Sequence, residues 1–515
     1  MILDKEKKIN SVMHVYLPIG EKIKIFPIGI VYLANYIHNK IPRVKQLILD
    51  LSVIDKRNRW EHYKKTLNQN KPDIVAFSWR HLRYFGDALY DDELRKLMYD
   101  RSYSISKTLR FFYHALKRWR NYVLGILENI NYIKWAKRNL KSASIIIGGS
   151  GFSIFYRDLL RKLPEGIIGI VGEGEKTLEY LVQGLNYENK RVVRRQGKKI
   201  GRGHKNDRID GDFDVAKSFP AVDYTYIKEI FPNYRAYMRE IISVQTNRGC
   251  RQRCIYCPDV ARDRNIVSCR NPSEVIKEIV SITGTLNTKE IWFPDRLTLC
   301  ADSLENFSEI LIELVDQSIG IRWSGYMRPD IFTRELAQLL VESGLDHFIV
   351  PVTSGSQRVV DQLKLGMDVI EVLEGCRLLS KAGYRGSVEV ELTFGIIREF
   401  PEDIEDTVNA YRQIKHIFNA KNVKPILNFC SVLPESELED LLIEEGYFRP
   451  SYNPISLNPW KIRKFAYMHS SFYKIMKQAY ANSYMRSQEV SGSTSREELV
   501  LDYLFDHRDL LKDLQ

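Results

Sequence analysis

Cys250, Cys254 and Cys257 fall within eight residues, as Cys-Arg-Gln-Arg-Cys-Ile-Tyr-Cys, and they account for three of the seven cysteines in this 515-residue chain. They follow a strand-like run, Glu240 to Val244, and Gly249 stands immediately before the first of them. Thiolates at C-x₃-C-x₂-C spacing turn inward around one soft metal centre, and iron–sulfur clusters are held by such thiolates. Three ligands leave one iron of a four-iron cluster open to a substrate or cofactor, so the missing fourth cysteine points to chemistry more than to electron storage. Structural zinc is the competing reading, but it asks for four closed ligands in short-spaced couples. No second C-x₂-C or H-x₃-H couple exists, and Cys269, Cys300, Cys376 and Cys430 are scattered singly. An odd cysteine count in a large chain argues against a disulfide framework.

Length sets the expectation of two or three domains. Hydrophobic content of 44% with 28% charged residues reads as a soluble globular protein. No stretch approaches the ~18 unbroken apolar residues of a membrane span. The start, Met1-Ile-Leu-Asp-Lys-Glu-Lys-Lys, lacks the apolar core of a secretory signal, so a reducing cytoplasm is expected. A formal charge of +12 favours an anionic substrate, nucleic acid or a membrane surface, although the basic residues are spread widely and most suit a solvated surface.

Over residues 1–185, apolar runs alternate with helical patterns: Val12–Leu17, Gln46–Leu51, Asp73–Phe77, Ser144–Ile147 and Ile167–Val171, with a helical Ile28–Asn39. Such alternation predicts a doubly wound, Rossmann-like α/β domain whose ligands sit beyond the carboxyl ends of its strands. Those ends carry Ser78-Trp79-Arg80, Gly148-Gly149-Ser150-Gly151 and Gly172-Glu173-Gly174-Glu175. Tight turns alone would also explain the glycines. Residues 81–141 interrupt the pattern with a basic, aromatic, helical insertion, which is read as an extra layer over the domain; a membrane surface or nucleic acid is its other possible contact. Residues 186–239 read as a linker, with a hairpin or exposed linker in the basic Arg191–Arg208.

A βα repeat resumes over residues 240–430: Glu240–Thr246, Glu290–Phe293, Gly320–Gly325, His347–Val352, Gly386–Leu392 and Lys424–Phe429. Pro272–Ile282, Leu304–Gln317 and Thr333–Ser343 are helical runs between them. Six such units predict a partial (β/α)6 TIM-type barrel with active residues at the carboxyl ends of its strands. Glu389 and Glu391 alternate toward one barrel face, with outward salt bridges as the alternative. Residues 431–515 read as a helical region, with an aromatic and basic run from Arg463 to Tyr484.

The cysteine trio resembles the signature of radical S-adenosylmethionine (SAM) enzymes. The N-terminal features resemble the cobalamin-binding domain of one subclass, the class B methyltransferase-like enzymes. The matching segments are Phe26-Pro-Ile-Gly-Ile-Val-Tyr-Leu, Lys71-Pro-Asp-Ile-Val-Ala-Phe-Ser, Ile147-Gly-Gly and Val171-Gly-Glu-Gly-Glu-Lys-Thr-Leu. No D-x-H-x-x-G occurs.

The resemblance implies three cofactors: a [4Fe-4S] cluster on Cys250, Cys254 and Cys257, SAM on its open iron, and cobalamin. Ser78, Trp79, Arg80, Gly148, Gly149, Gly172, Glu173 and Gly174 become candidates for cobalamin, with Trp79 and Arg80 toward the lower side of cobalt. A core tryptophan beside a surface arginine is the alternative for that last pair. Tyr256, Ser354, Gln357 and Glu391 become candidates for SAM. Two motifs depart from the family: Arg296 follows Asp295 where a second acid is usual, and the Pro-Gly pair expected after Gly395 is absent.

The implied activity is methyl transfer to an unactivated carbon, or to phosphorus, of a small molecule. A cyclase or rearrangement enzyme and a non-catalytic cobalamin or iron–sulfur sensor are the alternatives. A reductant such as flavodoxin or ferredoxin is implied. No stable nucleic-acid partner is expected, and contact with a membrane surface is compatible with the charge.

Overall fold

The computed structural model describes residues 8–18, 25–80, 105–185, 192–197, 199–201, 219–258, 267–419, 422–430, 432–447, 455 and 495–508, with short pieces between 475 and 483. Its first sheet holds five parallel strands: β1 (Ser11–Tyr16), β2 (Lys45–Asp50), β3 (Ile74–Ser78), β4 (Ser144–Gly148) and β5 (Ile168–Ile170). Between and after them run α1 (Ile28–Lys40), α2 (Lys56–Asn70), α3 (Ile105–Asn139), α4 (Ser150–Lys162) and α5 (Glu175–Val182). Successive strand residues point to opposite faces. Val12, Ile48, Ile74 and Ile146 enter one core, while Met13, Val15, Leu49, Val75, Phe77, Ile145 and Ile147 enter another. The strand order is β2-β1-β3-β4-β5, so the winding reverses between β1 and β3 and leaves a crevice beyond Tyr16 and Ser78.

The boundary expected at residue 185 moves outward. β6 (Val192–Gln196) pairs antiparallel with β5, and β7 (Lys199–Gly201) pairs with β6, extending the same sheet to seven strands. The segment read as a linker therefore covers the free edge of β5, a usual remedy for exposed backbone donors and acceptors.

The insertion divides its roles. The later half of α3 buries Ile126, Ile130, Ile133 and Ala136 in the second core, as a covering layer should. Its earlier half leaves Leu109, Tyr113 and Leu116 more than 60% exposed. Residues 81–104 lie outside the described residues.

After α6 (Tyr224–Ile230), a second sheet of six parallel strands opens with β8 (Ile242–Ser243). A small antiparallel ladder of β9 (Asn247–Gly249) and β10 (Val267–Cys269) interrupts it, and α7 (Pro272–Leu286) follows. The repeat continues with β11 (Glu290–Phe293), α8 (Leu304–Asp316), β12 (Arg322–Tyr326), α9 (Arg334–Glu342) and β13 (Leu345–Thr353). Next come α10 (Gln357–Gln362), α11 (Val369–Lys381), β14 (Ser387–Phe394), α12 (Pro401–Ile417) and β15 (Val423–Phe429). The order β15-β14-β13-β12-β11-β8 runs in sequence without closing among the described residues, which is the partial barrel the repeat predicts. Outside it lie α13 (Glu437–Glu444) and α14 (Arg496–Asp506); most of the 463–484 run is outside the described residues.

One apolar core joins the two sheets, running from Ile30, Val31 and Tyr32 of α1 through Phe219 to Ile242, Val244 and Val275. No helix among the described residues is long and apolar enough to cross a membrane.

Candidate functional site

The three signature cysteines leave β9 in an irregular loop at the carboxyl end of the first barrel strand. Gly249 takes φ +90° just before Cys250, a conformation that favours glycine. The loop is then pinned at one residue between the second and third cysteines. Ile255 donates its N–H to the Leu363 carbonyl at 3.1 Å, and its own carbonyl accepts Leu438 N–H at 2.8 Å. Cys257 N–H turns back to the Cys254 carbonyl at 3.0 Å.

None of the three cysteines is in a disulfide, and all three are partly buried. Burial, then the neighbouring Cys257 and Cys250 thiols, pushes Cys254 up to about 12. Burial raises Cys250 as well, with lesser contributions from Cys300 and Cys257. The three groups thus sense one another, yet no group of three His, Cys, Asp or Glu among the described residues stands close enough to hold an ion. A single tetrahedral zinc draws its ligands into mutual contact, whereas a multi-iron cluster spreads them over its corners. Thiols near enough to influence one another, yet too far apart for a single ion, suit the corners of a cluster better.

The strand leading into the loop is clamped from the neighbouring strand. Asp295, beyond β11, is buried and accepts N–H from Thr246 at 3.0 Å and from Asn247 at 3.2 Å, and the Thr246 hydroxyl at 2.6 Å. Burial outweighs these bonds and lifts its carboxyl to about 7. The acid of the second-strand motif therefore shapes the approach to Cys250 and does not face open space. Asp295→Asn exchanges one acceptor for a donor opposite backbone N–H groups, and is expected to cut iron incorporation severalfold while the chain stays folded. Iron content alongside far-UV circular dichroism checks this, and full incorporation would contradict it.

The residues expected near SAM divide. Tyr256 lies against the core beside Cys254, and burial raises its phenol. Glu391 is half-buried; it accepts the Tyr326 hydroxyl at 3.2 Å, and burial raises its pKa. Ser354 is fully buried, its hydroxyl engaged with Thr407 at 3.0 Å and with Ser356 N–H. Gln357 spends its amide on Asp361, the Met367 carbonyl and Val369 N–H. Both hold the turns around α10, Ser354 through a partner 53 residues away and Gln357 through partners within 12 residues.

The turn after β14 survives without its Pro-Gly pair. Arg398 occupies φ +56°, and Glu399 accepts Gly395 N–H at 2.7 Å and Ile396 N–H at 3.2 Å. Burial raises Glu399 to about 8.

Alternation on the barrel strands leaves Trp292, Tyr326, His347, Glu389 and Glu391 partly accessible while their neighbours are buried. His347 lies 3.5 Å from Glu389 across β13 and β14, and the imidazole beside it holds that carboxyl below its usual range. Trp292 meets Tyr326 edge-on at 5.9 Å and stacks near His347 at 6.5 Å. This aromatic and acidic face escaped the sequence reading apart from its glutamates, because strand register alone brings its members together.

In the N-terminal sheet, Trp79 is 1% exposed and packs in the second core, the structural alternative raised for it. Arg80 lies beside Tyr16 at the crevice between β1 and β3, where its charge partly offsets the rise that burial imposes on that phenol. Ser78 ends β3, in register with Tyr16 and Gly148. The glycine loop is fitted to its neighbour: Trp79 N–H reaches the Gly148 carbonyl at 2.8 Å, and the Ser150 hydroxyl reaches the Arg80 carbonyl at 2.8 Å. Gly149 has φ +99°, and a Cβ there would stand 2.8 Å from the Trp79 carbonyl oxygen. Gly149→Ala is accordingly expected to cost about 1–3 kcal/mol in chemical denaturation, and an unchanged midpoint would contradict the fit.

Gly172 N–H donates to the Ser153 hydroxyl at 2.9 Å, and Gly174 precedes α5. Glu173, between them, pairs with Arg248 at 2.8 Å, so the loops of the two sheets meet directly. Arg248 had no role in the sequence reading; its place two residues before Cys250 was the available signal.

Residues 244–411 match the family model of the radical SAM superfamily. Over 53% of its length the chain is 24% identical to the anaerobic magnesium-protoporphyrin IX monomethyl ester cyclase of Cereibacter sphaeroides, a match that spans 45% of that protein. Its fold resembles the radical SAM methyltransferase TsrM of Kitasatospora setae, solved with cobalamin and a [4Fe-4S] cluster. The TM-score is 0.68 at 17% identity, over 96% of this chain and 99% of that one. It also resembles the cobalamin-dependent SAM radical enzyme OxsB, solved with aqua-cobalamin and SAM, at TM-score 0.63 and 14% identity over 98% and 71% of the two chains.

Proposed function

We propose that this radical SAM protein, built on the fold of the cobalamin-dependent members of its class, transfers a methyl group from SAM to a carbon or phosphorus atom of a small molecule. The reading rests on one observation above all: the loop of three cysteines adjoins the strand-end loops of a 2-1-3-4-5 sheet, so two cofactor sites would face one reaction space. Cys250, Cys254 and Cys257 would hold the cluster, and Tyr256 would pack beside the SAM it binds. The crevice beyond Tyr16, Ser78 and Arg80, with the Gly148–Gly149 and Gly172–Gly174 turns, would receive cobalamin. Together these groups supply reductive cleavage of SAM and a carrier for the methyl group.

The chain's own residues bind, orient and exclude water. Trp292, Tyr326 and His347 offer aromatic surface, and Glu389 and Glu391 offer acceptors, to a substrate entering the barrel. No strong general base is required of them. Electrons would come from a small redox protein such as flavodoxin or ferredoxin. Ring closure or rearrangement is the second reading, favoured by the likeness to the cyclase.

The test is anaerobic. The reconstituted chain is given cobalamin, reductant and SAM, and 5′-deoxyadenosine and S-adenosylhomocysteine are quantified by mass spectrometry. Both products are expected. S-adenosylhomocysteine alone would mean methyl transfer without hydrogen abstraction, and 5′-deoxyadenosine alone would favour the second reading. Neither product from a chain loaded with both cofactors would overturn catalysis.

A further inference from the structure

The four residues that lead into the cysteine loop are each held by something outside it. Gln245 donates its N–H at 2.8 Å to the hydroxyl of Tyr32, which belongs to α1 of the N-terminal domain. Thr246 and Asn247 are held by Asp295. Arg248, 8% exposed, reaches Glu173 at 2.8 Å with one guanidinium nitrogen and Glu175 at 2.7 Å with the other. Its third nitrogen donates to the Gln245 side chain at 2.8 Å, and the planar head lies over Phe219 at 5.3 Å.

Stability alone does not account for this arrangement. Desolvating the cation and the buried Glu175 carboxylate costs several kcal/mol per ion, and apolar residues of similar volume commonly fill such a space at no loss. A planar fork with fixed donors has another use, which is to set the orientation of whatever bears the carboxylates. Here one carboxylate lies in the loop after β5 and the other begins α5, while the arginine is separated from Cys250 only by Gly249. A displacement of residues 172–175 must therefore move Arg248, and through it the first cysteine.

We propose that Arg248 is a positioning residue that locks the β5–α5 loop of the N-terminal domain to the cysteine loop, so that a ligand bound at one loop is felt at the other. Calling those ligands cobalamin and the cluster rests on the function proposed above; the mechanical lock does not. The device transmits position, and it works in both directions because coupling between sites is reciprocal.

The experiment has two arms, both on the full chain. In the first, hydrogen exchange is followed on the cofactor-free protein and its Arg248→Met, Arg248→Lys and Glu175→Gln variants. Loss of a charge-assisted pair in Arg248→Met is expected to speed exchange roughly tenfold or more in residues 172–178 and 246–257 together. Glu175→Gln should move both segments by less, and Arg248→Lys should recover part of the protection. Faster exchange in only one segment, or in neither, would overturn the lock.

In the second arm, the reduced cluster is examined by electron paramagnetic resonance with and without hydroxocobalamin. The wild type is expected to change its spectrum on binding, and Arg248→Met to bind hydroxocobalamin with little or no change. An equal response in both would overturn the transmission. A wild type that binds neither group would count against the proposed function, and the exchange arm would still decide the lock.

Discussion

Cys254→Ala is expected to remove the iron–sulfur absorbance and, with it, all 5′-deoxyadenosine formation. Cys254 sits at the turn that brings Cys257 back, with its carbonyl accepting Cys257 N–H at 3.0 Å. Two thiols at the remaining spacing cannot fix a four-iron cluster, and any iron left would lack the open site that SAM requires. The fold should persist, because the loop is pinned through Ile255 to Leu363 and Leu438, and not through the thiols. Iron and sulfide analysis beside circular dichroism separates the two effects. Retention of a cluster in the variant would mean that a residue outside the trio completes the site.

The largest effect on stability is expected from Arg270→Met. Arg270 and Glu278 form an ion pair at 2.7 Å, with their side chains 1% and 0% exposed. Tyr32 from the other domain donates its hydroxyl to Glu278 at 3.0 Å, while Arg270 also donates to the Tyr32 oxygen and the Gln245 carbonyl. Removing the cation leaves a carboxylate buried without a counter-charge, which typically costs about 3–5 kcal/mol. Replacing both partners with apolar residues should cost much less.

The sign with pH follows from the carboxyl. Burial already raises Glu278 above its unfolded value, and losing Arg270 raises it further. The variant is therefore comparatively stable at low pH and loses stability as pH rises through the folded pKa. Equal melting of wild type and variant from pH 5 to pH 8 would contradict this account.

How much the sequence disclosed depended on the range of the interaction. Glu290–Phe293 is a strand with the bounds its pattern predicts, and β12 to β15 begin and end within two residues of their expected runs. Period-two alternation and a loop signature are local, so they are visible in one chain. Ser354 and Gln357, candidates for SAM, also serve the fold itself: the hydroxyl of one meets Thr407 and the amide of the other donates to the Met367 carbonyl. The Thr407 partner of Ser354 stands 53 residues away, a relation that no spacing rule reveals.

The domain contact was hidden for the same reason, since Tyr32 and Glu278 are 246 residues apart. Within the segment read as a hairpin or exposed linker, β6 and β7 form the hairpin; its pairing with β5 was not legible, because an edge strand is set by the sheet it joins more than by its own composition. The absent Pro-Gly pair is a departure from the family motif, and the turn is kept by other means: Arg398 adopts the left-handed backbone and Glu399 accepts two N–H groups. A left-handed non-glycine residue costs roughly 1–2 kcal/mol, which those bonds help offset.

The central claim is that the cysteine loop presents a cluster with an open iron that takes SAM. The most direct test is the electron paramagnetic resonance spectrum of the anaerobically reconstituted, reduced chain, recorded before and after SAM is added. A reduced iron–sulfur signal that changes line shape with SAM, and disappears in Cys254→Ala, is the expected result. A signal indifferent to SAM, or metal analysis returning zinc in place of iron and sulfide, would contradict the claim.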